Sequence, residues 1–266
     1  MGRSSRTRCP SRVEAQLGSG FDWRDAAAYA PLLGADRSLF AWEWLRRDPE
    51  YLAAARCAQR QLPAFESPAA ARFGLVAFEH PGLGVPEARP LWRSGIHPLV
   101  LAVEPGAGSP EDSFLLDRLS RYSTLVAGAK SEHLLLSDGF RAIRIDAPAG
   151  TFGTAPVFLR YRLEGFASAK EQLLTLQRFL ALFRTGGFAR SLHPQERSAR
   201  RWILILRARD ALSAGASQRQ IAQGLLSSSV AEPRWRIREP SVRLQAQRLL
   251  RSATKLGNGG YRCFLR

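Results

Sequence analysis

Arg243, Gln247, Arg248, Arg251 and Lys255 fill one arc of a helix expected over SVRLQAQRLLRSATKL. Val242, Ala246, Leu249, Ala253 and Leu256 fill the opposite arc, within about a third of a turn, as a core-facing stripe should. The polar arc has the chemistry of base recognition. Arginine can make two hydrogen bonds to guanine, and glutamine two to adenine. Pro240 cannot continue an incoming helix, and Ser241 is expected to cap the new one. Base reading is assigned on this pattern to Ser241, Arg243, Gln247 and Arg251. Phosphate binding is assigned to Arg219, Gln220, Arg236, Arg238, Arg248 and Lys255. A solvated face would use the same residue types, so the surrounding elements must carry part of the argument.

The stretch GASQRQIAQGLL (215–226) supplies the first of them. Gly215 ends a preceding helix, while Ser217 and Gln220 have capping-box spacing. Ile221, Ala222 and Leu225 make a narrow apolar stripe, and Ala222 is small enough to let a second helix approach. That is the pattern of the supporting helix of a helix-turn-helix, which crosses the DNA backbone. The link to the next helix, residues 227–240, is much longer than the usual turn. It reads as a short extended segment, Trp235 and Ile237 inward and Arg234, Arg236 and Arg238 outward. Upstream, a helix from about Glu196 to Ser213 is apolar on two sides: Trp202, Ile203 and Leu206, then Leu204 and Ile205. Such a helix lies between two layers and is expected to join this unit to the mixed domain before it. Asp210 falls among its apolar positions and is expected to be a buried carboxylate bonded to backbone or to an arginine. Tyr261, Phe264 and Leu265 follow a turn at Gly259-Gly260 and should close the core.

Charge is distributed in keeping with that unit. The chain of 266 residues has a net charge of +16, with 39 basic and 23 acidic residues. Residues 196–266 hold 15 of the basic residues and four of the acidic ones, a net of +11; the first 195 residues carry 24 and 19, a net of +5. A basic unit of this kind is the electrostatic footprint of a nucleic-acid partner.

The rest of the chain reads as scaffold. With 45% hydrophobic and 23% charged residues the composition is globular. Residues 1–20 read as a disordered basic arm. A helix is expected over 23–32, capped by Asp22; a second over SLFAWEWLRR, capped by Asp36; and a third from Pro49 to about Gln61. Strands are expected at FGLVAFE (73–79), HPLVLAVE (97–104), HLLLS (133–137), RAIRIDA (141–147) and PVFLRYRLEG (156–165). Gly139 marks a hairpin turn between the third and fourth. Ile143 and Ile145 alternate with Arg144 and Asp146, which predicts a sheet with one wet face. A helix is expected near 111–121, and a long one over 169–185, with Leu173, Leu176, Leu180 and Phe183 inward and Gly186-Gly187 stopping it. The fold class expected is α+β. It comprises a helical N-terminal unit (21–66), a mixed α/β domain (67–190) and a C-terminal elaborated helix-turn-helix (191–266).

Enzymatic motifs are missing. GLG (82–84) and GAG (106–108) lack the strand–glycine–helix setting of a nucleotide loop, and no GxSxG or HExxH occurs. Cys9, Cys57 and Cys263 form no disulfide framework, and His80, His97, His133 and His193 are too scattered for a metal site. No apolar run is long enough to span a bilayer. The expectation is a cytoplasmic, nucleoid-associated protein without catalytic site, metal or cofactor, whose partner is double-stranded DNA.

Several segments also resemble known families. FDWRDAAAYAPLL and RSLFAWEWLRRDPEYLAAA resemble a small N-terminal domain of proteobacterial transcriptional regulators. LSDGFRAIRIDAPAGTFGTAPVFLRYRLEGF, LLTLQRFLALFRTGGF, RSARRWILILRARDALSAGASQRQIAQGLL and SVRLQAQRLLRSATKLGNGGYR resemble the DNA-binding domain named for the type VI secretion transcription factor RovC. The resemblance implies promoter binding and transcriptional activation by a homo-oligomer, on mobile elements or secretion-type gene clusters, with RNA polymerase or another regulator as a protein partner. It also leaves open an antiactivator that binds another regulator without reading DNA.

Overall fold

Pro31 lies inside the first element and disfavours an α-helix there. An α-helix would need the N–H that proline lacks and would bring its ring against a carbonyl one turn back. The chain forms a 3-10 run over Ala27–Gly34 in place of the expected helix over 23–32. The Asp22 carboxylate accepts from the Arg24 N–H, two residues on, and does not cap this run. The computed structural model describes residues 22–58, 65–231 and 234–266, with the backbone alone at Arg236. The arm expected over 1–20 lies outside them.

Helix α1 (Arg37–Leu45) begins where Asp36 accepts from the Leu39 N–H, as the sequence predicts. Every residue from Ser38 to Leu45 is buried, so α1 is surrounded on all sides. Helix α2 (Pro49–Ala58) follows, with Asp48 accepting from the Glu50 and Tyr51 N–H groups. A single turn, α3 (Pro68–Ala71), leads to the segment expected as a strand at 73–79. Only one bridge forms there, Leu75 with Trp92. The ladder goes no further: the Val76 carbonyl accepts from the Ser67 N–H at 2.9 Å, and farther on the Tyr51 hydroxyl donates to the Glu79 carbonyl at 2.7 Å and accepts from the Glu79 N–H at 3.0 Å.

Six strands then form one sheet: β1 (Val100–Gly106), β2 (Ser113–Phe114), β3 (Ser123–Ala127), β4 (Ser131–Ser137), β5 (Ala142–Pro148) and β6 (Val157–Arg162). The spatial order is β2-β6-β1-β5-β4-β3, with β1 and β5 parallel and the other pairs antiparallel. Gly139 takes φ +95° in the β4–β5 hairpin turn. The helix expected near 111–121 is replaced by two 3-10 turns, Pro110–Asp112 and Leu116–Tyr122, with β2 between them.

Helix α4 (Ala169–Thr185) covers one face of the sheet and ends at Gly186 in the left-handed region. Its buried arc is Thr175, Phe179 and Leu182, and Phe179 meets Phe114 at 5.4 Å. Leu173 and Leu180, expected inward, are 46% and 41% exposed. They are seven residues apart, on the side of α4 away from Phe179.

The wet face expected from the β5 alternation is absent. Arg144 is 2% exposed. It donates to the Asp146 carboxylate at 2.8 Å and to the Trp92 carbonyl at 3.4 Å, while His133 Nδ1 holds the same Asp146 oxygen at 2.8 Å. Val76, Ala77 and Leu91 pack with Val126 and Leu135 to cover this side of the sheet.

The last helices are α5 (Ala199–Ser213), α6 (Gln218–Leu225), α7 (Trp235–Arg238) and α8 (Pro240–Gly257), followed by a 3-10 run at Gly260–Leu265. Apart from α7, whose Trp235 lies in a smaller cluster of its own, they share one core with the N-terminal helices. Phe40 lies 4.9 Å from Trp202, and Trp202 lies 4.6 Å from Phe264. The expected joining role of α5 is thus played chiefly toward the N-terminal segment.

A charged cluster seals the same junction. Arg47 donates to Asp210 at 2.7 and 3.0 Å and also to Glu43, which takes a bond of 2.8 Å from Arg46. The Tyr29 hydroxyl donates to Asp210 at 2.7 Å. Burial would raise the Glu43 carboxyl, but Arg47 and Arg46 outweigh it and hold it below the ordinary carboxylate range. Arg207, also buried, donates to the Trp23 and Arg24 carbonyls at 2.8 Å each. Asp210 is therefore the paired, buried carboxylate that the sequence predicts.

Candidate nucleic-acid interface

The interface is built on α6 and α8. Between α5 and α6 the chain turns at Gly215, whose φ of +76° is disfavoured for residues with a Cβ. Ser217 then caps α6 with both bonds of the capping box: its hydroxyl accepts from the Gln220 N–H, and Gln220 Oε1 accepts from the Ser217 N–H at 2.8 Å. Ile221 and Ala222 are fully buried. On the next turn a Cβ at Gly224 would stand 2.8 Å from the Trp23 ring, so α6 also rests directly on the N-terminal segment.

The link departs from the expected extended form. A 3-10 turn at Ser228–Ala231 precedes the single turn of α7. Trp235 is buried with Ala222, Val230 and Ala246, whereas Ile237, expected inward, is 79% exposed. In a strand, residues two apart share a face; in a helical turn they lie about 200° apart, so Trp235 and Ile237 cannot both face the core. Arg219 is tied to this link, donating through Nε to the Val230 carbonyl at 3.3 Å and through Nη2 to that of Ala231. Arg238 is exposed, and the Arg236 side chain lies outside the described residues.

Helix α8 begins at Pro240, with Glu239 in the cap position and no side-chain cap bond. Ser241 thus lies inside the first turn instead of capping it. Proline at the first position needs no N–H, and its fixed φ already suits a helix. The expected stripe is inward: Ala246, Ala253 and Leu256 are buried, while Val242 and Leu249 are partly so. Ser241, Arg248, Arg251 and Lys255 are exposed. Arg243 and Gln247 are half-buried at one margin of that face, and Arg243 Nε has no hydrogen-bond partner.

One residue of this face was not singled out from the sequence. Leu244 is 45% exposed. Its helical neighbours are Ser241 three residues before, Gln247 and Arg248 three and four after, and Arg251 seven after. An apolar residue inside the polar arc of a helical wheel is the signal that could have found it.

Basic residues outnumber acidic ones over residues 196–266, which favours an anionic partner. Glu196 accepts from Arg37 at 2.9 Å, and Asp210 is bound by Arg47 and Tyr29. Two of the four acidic residues of 196–266 are thus paired from the N-terminal side.

An exposed cationic helix, braced by a capped helix and by an N-terminal bundle, has the charge and shape to meet a polyanion. Residues 163–266 match the family model described as "T6SS, Transcription factor, DNA binding domain" (RovC DNA-binding), and residues 22–76 match that of the proteobacterial transcriptional regulator-like domain. No curated protein and no solved structure matches the chain. The DNA-binding match takes in α4 to α8 but starts after most of LSDGF…RLEGF, so β5 and β6 fall outside it. Both families are regulatory, and the chain is a DNA-binding transcription regulator.

Proposed function

We propose that the chain reads a specific operator through α8 and activates transcription from promoters on a mobile element or secretion-type gene cluster. The observation that carries this reading is the division of α8 into a buried apolar stripe and an exposed arc of Ser241, Arg248, Arg251 and Lys255. In this reading α6 and α8 form an elaborated helix-turn-helix. Ser241, Arg243, Gln247 and Arg251 meet base edges in the major groove, and Arg236, Arg238, Arg248 and Lys255 hold phosphates. Arg219 and Gln220 reach phosphates with the donors left over from their internal bonds. The working state is a homo-oligomer without cofactor in the cytoplasm, acting on RNA polymerase or a second regulator. Leu173, Leu180 and Phe166, exposed on or next to α4, support contact with a second copy.

The test is selection of bound fragments from random DNA by the full chain, with size measured in solution alongside. Arg243→Ala or Gln247→Ala should relax sequence preference. Lys255→Ala should weaken all DNA alike and reduce the salt slope by about one. Equal losses on operator and random DNA for every variant would refute base reading. No salt-dependent DNA affinity would favour the antiactivator reading, in which the α8 face docks on a protein.

A further inference from the structure

We infer that Leu244 is a specificity-determining residue that reads the C5-methyl group of a thymine in the major groove. The inference rests on the DNA-reading function proposed for α8. Leu244 lies at the middle of the residues assigned to bases, one helical turn from Ser241, Gln247 and Arg248 and two from Arg251. It is 45% exposed although Val242, Ala246 and Leu249 on the same helix are drawn into the core.

The major groove offers one apolar group on its floor, the thymine methyl, beside the donors and acceptors that arginine and glutamine address. A helix laid in the groove on its Ser241–Arg251 face brings Leu244 to that floor before any other apolar side chain of α8. Its branched end can cover a methyl group and cannot bond O6, N7 or an amino group. The position therefore selects for a methyl and against a bare polar edge. Cytosine methylated at C5 presents the same methyl group, so the contact itself does not separate the two bases.

The experiment uses the full chain and the operator obtained by selection. Each thymine in the α8 footprint is replaced singly by deoxyuridine, which removes only the methyl group. Affinity should fall about fourfold at one or two positions, the value of one buried methyl-sized group. Leu244→Ala and Leu244→Gln should bind the uracil and thymine sites equally, with unchanged thermal stability. A thymine-to-cytosine change at that position should be partly rescued by 5-methylcytosine for the wild-type chain and not for Leu244→Ala. The inference is overturned if Leu244→Ala keeps the full thymine-over-uracil preference, or if no thymine in the footprint shows one. In either case salt-dependent operator binding would still stand. Loss of all DNA affinity in the wild-type chain would instead remove the DNA-reading function on which the inference rests.

Discussion

Replacing Asp210 by alanine should destabilise the chain by about 3 kcal/mol. The side chains of Glu43, Asp210, Arg46 and Arg47 are almost wholly removed from solvent, two carboxylates against two guanidiniums. Without Asp210, Arg47 loses its bonds of 2.7 and 3.0 Å, and the Tyr29 hydroxyl loses its acceptor. Removing one partner of a buried pair costs roughly 3–5 kcal/mol, because the other charge remains in low dielectric. Glu43 still pairs with Arg47, which puts the expected loss at the low end of that range. At about 2–4 °C per kcal/mol for a domain of this size, the unfolding midpoint should drop by about 6–12 °C. Thermal unfolding followed by tryptophan fluorescence measures this directly, since Trp23, Trp42, Trp44 and Trp202 all lie in or against the shared core. Operator affinity should fall as well, because α5 carries Asp210 and packs against α8. A loss below about 1 kcal/mol, the range of exposed ion pairs, would refute the claim that this cluster locks the N-terminal segment to the DNA-binding helices.

Other outcomes follow from the same geometry. A fragment of residues 163–266 should unfold more readily than the full chain, because Trp202 and Phe264 lose the Phe40 ring of α1; equal stability by denaturant titration would contradict the shared core. Arg219→Ala should loosen the link by removing its bonds to the Val230 and Ala231 carbonyls and should weaken all DNA alike, which salt-dependent binding to operator and random DNA would show. Acid should act before the carboxylates titrate. Burial, Arg144 and Arg178 push His97 down to about 4, and burial, Arg178 and Arg141 push His193 down to about 3. As pH falls from about 6.5 the unfolded chain binds protons that the folded chain refuses, so stability should fall between about pH 6.5 and 4. His97→Leu should flatten part of that slope.

Local chemistry made parts of this molecule legible in its sequence. Asp36, the Ser217–Gln220 capping box, the Gly186 stop and the α8 stripe each depend on residues within one or two turns, and each is found as expected. What escaped depends on partners remote in the chain. The alternation of β5 is compatible with a wet face, and only the distant 76–92 segment turns Arg144 inward. The period of WRIR cannot separate a four-residue strand from one helical turn, so Ile237 was placed on the wrong side. The polar arc of α8 was visible, but which of its members stand clear depends on how α5, α6 and the link pack beneath it.

The most direct test of the central claim is equilibrium binding of the full chain to its selected operator and to a scrambled duplex across a salt series. With five basic phosphate contacts in each copy, log affinity should fall against log salt with a slope of about −4.5 for each copy bound, and the operator should be favoured by about a thousandfold or more. Affinity that depends on neither salt nor sequence would contradict the account.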